Sequence, residues 1–467
     1  MTSLLSSKTR ALLALSLLAI GITAVRAQPA PADELQTLRD QVRQLDQKLK
    51  VIERKQELKD EDAATEAKTA PKIALTDKGF TFSSADGANV IKIRGLVQLD
   101  SRLFFGDSGN NLVNNAFVLR RARIISEGTF AKNYSFQIVP EFGGSSVALV
   151  DANIGVTINK ALQFKFGRQK SPVGLELLQS DSWTFFNERS LVTNLVPNRD
   201  TGILVTGDVA NGTINYAAGV FSGVPDAAST NNADFDNEKE AVARVFASPF
   251  KNKAGSIVQG LSFGVAGSVG REKTTSGRTA GYKTDGQQTF FSYLSNVVAD
   301  GRSWRVSPQV DYRNGSLGVI GEYVLSTVNV RPSATGAKVE LQNRAWQLAT
   351  GYVLTGEDSS YSGVVPKTNF DWAAGTWGAF EVAARYATLK VDDAAFPLFA
   401  SASASADKAS TAGVGLNWYL SKAVRFTFDL YDTKFGFSSL ATVTPSAAPS
   451  VLHQNEKAFI TRFQLSF

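Results

Sequence analysis

From residue 73 to the last residue, apolar and polar positions alternate with a period of two in runs of about ten. Residues 90–105 place Ile91, Ile93, Val97, Leu99 and Leu103 on one face, with Lys92, Arg94, Gln98, Asp100 and Arg102 on the other. Residues 160–169, 302–313 and 423–433 repeat the pattern. In the last of these, Val424, Phe426, Phe428 and Leu430 oppose Arg425, Thr427, Asp429 and Tyr431. A strand tilted across a bilayer needs about this length. A soluble sandwich also alternates, but its apolar face points to a core. Here the other face carries charge of both signs, as the wall of a water-filled lumen would.

The connections alternate in length as well. Short turns fall at 131–132, 159–160, 211–212, 314–315 and 421–422, two of them Asn-Gly, the strongest hairpin signal. Between them lie long polar or Gly-rich loops at 106–115, 171–200, 223–240, 271–301 and 436–455. The segments count to about sixteen strands, so the expected fold is all-β: a transmembrane antiparallel barrel with short inner turns and long outer loops. One connection, 356–375, breaks the rule by being long on the turn side. The chain ends on Phe463, Leu465 and Phe467 sharing one face, a closing strand with an aromatic terminus.

The N-terminal segment differs. Lys8 and Arg10, an apolar run over 11–24 and the small-residue site Val25-Arg26-Ala27 describe a secretory signal peptide (1–27), the run being short for a membrane anchor. Leu35, Leu38, Val42, Leu45, Leu49 and Ile52 follow at alternating spacings of three and four, the seam of a coiled coil. This predicts a helix over 28–61 that joins copies of the chain, the alternative being an amphipathic helix on its own domain. Residues 62–89 read as a linker and lead-in, and 90–467 as the barrel. Tethering to the cell wall through the coil is a further role compatible with a pore.

Composition changes the picture mainly by exclusion. In 467 residues there is no cysteine and one histidine, His453. Thiolate metal sites and cysteine nucleophiles therefore have no residues to build them. The single histidine falls in an expected surface loop beside Gln454 and Asn455, with nothing in the sequence to pair it with an orienting carboxylate and a nucleophile, so no enzyme or cofactor is expected. A net charge of +6 in an exported protein points to anionic solutes or lipid headgroups ahead of nucleic acid.

Five segments carry a family resemblance. They are Phe166-Gly167-Arg168-Gln169-Lys170-Ser171-Pro172-Val173-Gly174-Leu175-Glu176, Leu119-Arg120-Arg121-Ala122-Arg123, Asn198-Arg199-Asp200-Thr201-Gly202, Tyr352-Val353-Leu354-Thr355-Gly356-Glu357 and Glu381-Val382-Ala383-Ala384-Arg385-Tyr386. Their order and spacing resemble the phosphate-selective porin O/P family. The resemblance implies a homotrimeric sixteen-stranded outer-membrane porin for passive diffusion of small hydrophilic solutes, with anions such as phosphate as the expected class and a general or weakly selective porin as the alternative. It also implies that the third outer loop, here 171–200, folds inward.

Strand phase and this loop give the candidate solute-contacting residues: Arg121, Arg123, Lys165, Lys170, Arg189, Arg199, Arg305, Arg385 and Arg425. For each, a structural ion pair across the wall is the competing role. Trp183, Phe185, Phe186 and Glu188 are expected in the constriction loop, the aromatics holding it to the wall. Trp304, Trp346, Trp377, Trp418 and Tyr419 are expected in interfacial girdles, with a sugar-stacking track as the alternative.

Overall fold

The computed structural model describes residues 32–77, 79–105, 114–230, 236–274, 281–333, 335–439 and 455–467. The signal segment and His453 lie outside the described residues.

The chain divides into two units, one ending at Thr69 and one running from Ala70 to Phe467. The first contains a helix, Ala32–Thr69. Its seam is exposed throughout: Leu38, Leu45 and Ile52 are 61%, 64% and 63% accessible. The helix passes the expected end at residue 61 and takes in residues 62–69, the first part of the expected linker and lead-in. Residues 61–69 include Ala, Glu and Lys, which favour helix and outnumber the weaker formers Thr and Asp there, and the helix stops just before Pro71, which disfavours helix in the preceding residue.

In the second unit, sixteen strands from Val90–Phe105 to Asn455–Ser466 pair antiparallel, each with the next in the ring. The last strand pairs with the first, from Lys457↔Phe105 to Ser466↔Leu96, so the sheet closes and has no free edge within the ring. A hairpin, Lys72–Thr76 and Gly79–Ser83, pairs with the first strand below the point where the last one ends. The ring of Phe467 lies over Gly95, where an added Cβ would sit 2.6 Å from it.

Burial is inverted relative to a soluble domain. Val97 and Leu99 are 42% and 46% exposed, whereas Gln98 and Asp100 between and beside them are fully buried. The apolar face meets lipid and the polar face meets the lumen, as the alternation requires. The five short turns form where expected, with positive φ at Ala131, Lys132, Asn211 and Gly315 among them. Two connections at the turn end are long, 248–260 as well as 354–378.

The outer loops are not all free. A small hairpin, Gly281–Lys283 with Thr289–Ser292, and the segment 391–407 fold together. Phe290, Phe291, Tyr293, Phe396 and Phe399 pack there with Val324, Val328, Leu341 and Leu389 of the wall. Trp304 and Trp346 lie within their strands rather than at the ends, and Tyr419 is buried with its hydroxyl donating to Glu381 at 2.7 Å. Trp304 and Trp346 depart from the girdle expectation because their strands run further out than the turn spacing alone indicates, and Tyr419, the last residue of its strand, departs because it faces the lumen.

Candidate functional site

The loop 171–198 leaves the strand Leu162–Lys170 and crosses the barrel interior before the strand Arg199–Val209. Its first turn, Leu175–Leu178, is held at both ends by charge. Glu322 accepts from the Leu175 and Glu176 amides at 2.7 and 3.1 Å, and the Lys170 ammonium donates to the Leu177 and Gln179 carbonyls at 2.6 and 2.8 Å. Further along, the wall reads the loop backbone. Gln98 donates to the Asp181 carbonyl, Gln464 to Ser182, Arg425 to Thr184 and Asn417 to Phe185.

Aromatic rings seat the loop on glycines that leave room for them. Phe185 lies on Gly351 and under the Arg313 guanidinium, 4.6 Å from its ring centre. Phe186 lies on Gly413 and Gly415, with Arg385 4.3 Å above it. Trp183 rests on Gly363 of the connection 354–378. Glu188 accepts from Arg120 at 2.6 and 2.9 Å and from Arg462 at 2.9 Å.

Among the described residues, the loop borders two cavities that lie mainly against the strands between 90 and 221. The outer one, about 380 Å³, is lined by Arg120, Arg121, Arg123, Arg189, Arg199 and Lys283 and by Asp181, Glu188 and Asp226. The inner one, about 860 Å³, is lined by Lys92, Arg94, Arg123, Lys165, Lys170, Arg199, Arg244 and Lys422 and by Asp77, Glu127, Asp151 and Asp181. Arg123, Asp181 and Arg199 line both, so they mark where the cavities meet. Asp181 lies among cations there: Arg123 bonds it directly, Arg189 is 2.5 Å away and Arg121 3.4 Å. Burial alone would raise the Asp181 carboxyl, but Arg121, Arg189, Arg123 and Lys170 outweigh it and hold it well below the usual carboxylate range.

A closed sixteen-stranded barrel narrowed by an inward loop is a pore architecture, and comparison with known proteins assigns it. The profile of the phosphate-selective porin O and P family matches residues 91–467. The chain belongs to that family. Porin O of Pseudomonas aeruginosa is 26% identical over 404 residues, covering 78% of this chain and 86% of its own. Among solved structures, the outer-membrane channel DcaP of Acinetobacter baumannii superposes with a TM-score of 0.51 at 11% identity, covering 83% of this chain and 99% of its own. The trimer form of OmpT from Vibrio cholerae gives 0.50 at 10% identity, covering 81% and 100%. The protein is therefore an outer-membrane porin, and its family consists of channels without enzymatic activity.

In this porin the expected residues separate into two groups. Arg121, Arg123, Lys165, Lys170, Arg189 and Arg199 line one or both cavities. Arg305, Arg385 and Arg425 are 2%, 4% and 1% exposed and line neither cavity. Inward loops cover them. Arg305 is spent on Asp226 at 2.8 Å, Glu240 at 2.5 Å and the Val224 carbonyl at 2.9 Å. Arg385 holds Asp285 and the Glu188 carbonyl, and Arg425 the Thr184 carbonyl.

Arg120 was not expected in the lumen. The register shifts between Gln98↔Arg121 and Leu99↔Leu119, so Arg120 is the extra residue of a bulge and turns inward beside Arg121. The sequence carries a signal for this. Strict alternation through Arg120-Arg121 would put one guanidinium in lipid, at a cost of about 2–4 kcal/mol near the bilayer midplane.

Proposed function

We propose that this porin passes small anions, phosphate among them, by passive diffusion. The observation that carries the reading is the basic excess along the path. Basic residues outnumber acidic ones by six to three in the outer cavity and eight to four in the inner. Such walls lower the entry cost of an anion without binding it tightly. The test is the reversal potential of the purified protein in planar bilayers under a potassium chloride gradient, followed by addition of phosphate. Anion selectivity with phosphate block is the expected result.

Cation selectivity, or none, overturns it in favour of a general, weakly selective porin. One observation favours that second reading. The arginines of the junction are paired, Arg123 with Glu141 at 2.6 Å as well as with Asp181, and Arg199 with Asp151 at 3.3 Å. Paired cations present less net field to a solute than free ones.

We further infer a homotrimer, supported by the trimer form of the OmpT neighbour and by the exposed seam of the Ala32–Thr69 helix, which suits a coiled coil between copies. Deleting residues 33–71 separates clamping from tethering to the cell wall. Loss of the trimer supports clamping, while an intact, conducting trimer with weakened envelope integrity supports tethering.

A further inference from the structure

The connection 354–378 has two halves with different destinations. The first turns into the lumen, where the Tyr361 hydroxyl donates to the Leu175 carbonyl at 2.6 Å and Gly363 supports Trp183. The second half leaves it. Phe370 donates its amide to the Leu420 carbonyl at 2.6 Å, which fixes the chain to the neighbouring turn. Asp371 then accepts from the Ala373 and Ala374 amides at 2.9 and 3.2 Å, closing a tight tip over Trp372, Ala373, Ala374 and Gly375.

This tip is apolar and exposed, with Trp372 77% accessible. It is also the end of a continuous row of rings. Trp372 meets Trp377 at 5.8 Å, Trp377 meets Trp418 at 6.4 Å, Trp418 meets Phe426 at 5.9 Å and Phe426 meets Phe463 at 4.6 Å. Trp418, Phe426 and Phe463 stand on the lipid face of their strands, since Asn417, Arg425, Arg462 and Gln464 beside them are buried on the lumen side. The Trp418 indole donates to the Trp377 carbonyl at 2.7 Å, so the row is tied by a hydrogen bond as well as by ring contact.

We propose that residues 369–378 form a rigid foot of the barrel that lies in the headgroup layer of the periplasm-facing leaflet, its partner being the phospholipid surface itself. Three features converge on that occupant. The tip projects from the turn end of the strands, the periplasmic end in such barrels. Its rings continue the lipid-facing surface without a break. Indole suits the boundary layer, where an apolar body and a polar N–H are both satisfied. The turn hydrogen bonds fix the tip in advance, so little conformational freedom is lost on insertion.

The chain has no cysteine, so Ala373→Cys gives a single thiol for a nitroxide label in the full-length protein. The labelled porin is reconstituted in phosphatidylethanolamine–phosphatidylglycerol vesicles, and collisions with oxygen and with a water-soluble nickel chelate are read by spin resonance. Ala254→Cys, in the exposed connection 248–260 at the same end, supplies the aqueous reference. Oxygen collisions above that reference with nickel collisions below it are the expected result. Nickel collisions equal to the reference overturn the proposal. Low collisions with both reagents and an immobilised spectrum also overturn it, and assign the tip to contact with a second copy. Ala374→Cys repeats the reading if the first variant folds poorly.

Discussion

Replacing Asp181 by Asn removes the one carboxylate that lines both cavities and faces three arginines. Each arginine keeps another partner: Gln98 for Arg121 at 2.7 Å, Glu141 for Arg123 at 2.6 Å, and the Glu176 and Gln179 carbonyls for Arg189 at 3.1 and 2.8 Å. The loop is also held along its whole length, so the barrel is expected to fold. The carboxyl is ionised at neutral pH, because its surrounding cations hold it well below the usual range, so the substitution adds one positive charge to the junction. A unit charge about 5 Å from the path, in a medium of water-like dielectric, is worth about 0.8 kcal/mol to each passing ion. The sign is opposite for cations, and screening with a Debye length of about 10 Å near 0.1 M salt leaves a difference of about 1 kcal/mol. The anion-to-cation permeability ratio should therefore rise about fivefold. Reversal potentials of wild type and D181N under a potassium chloride gradient near ~0.1 M measure it, with salt screening as stated. Asp393→Asn, an equal charge change on an exposed outer loop, is expected to leave the ratio unchanged. An unaltered ratio in D181N, or a shift towards cations, would refute the placement of Asp181 on the solute path.

Three other changes test separate parts of the structure. Lys92→Gln with Lys165→Gln should move selectivity towards cations with little loss of stability, because both line the inner cavity and neither ammonium has an ion-pair or hydrogen-bond partner among the described residues, while the neutral amide puts no second carboxylate opposite Glu127; a large loss of stability would contradict this. Phe185→Ala empties the space between Gly351 and Arg313 and should cost about 3–5 kcal/mol, seen as a lower midpoint of thermal unfolding by circular dichroism. Gly95→Val drives a side chain into the Phe467 ring and should reduce the yield of folded barrel on gels, whereas Gly144→Val, with its nearest neighbour 3.5 Å away, should not; equal yields would remove the ring contact from barrel closure.

Some of this was legible from sequence for a simple reason. A bilayer strand has lipid on one side and water on the other, so period-two alternation records the face of every residue. Ile91 to Leu103 and Val424 to Leu430 could be assigned outward, and Gln98, Asp100 and Arg425 inward, with no knowledge of their neighbours. Asn-Gly at 211–212 and 314–315 marked turns because few other pairs tolerate positive φ twice. The aromatic triplet at 183–186 stood out as apolar mass in a loop, where water would otherwise surround it.

Tertiary structure decided what the inward face meets. Arg123 and Arg425 have the same phase, yet one lines both cavities and the other lies beneath the loop at Thr184. Alternation cannot separate them, because the covering segment is more than two hundred residues away in sequence. Arg120 reached the lumen through a bulge, a register change set by pairing with the first strand. The hairpin at 281–292 came inward through Asp285 on Arg385 and through rings that find apolar neighbours only inside the barrel. The sequence alone thus determined a lipid-facing wall with a charged interior, since each residue's medium is local to its strand. Which of those charges still meets water was left to the folding of distant loops, since a lumen charge is covered or solvated by whatever chain arrives above it.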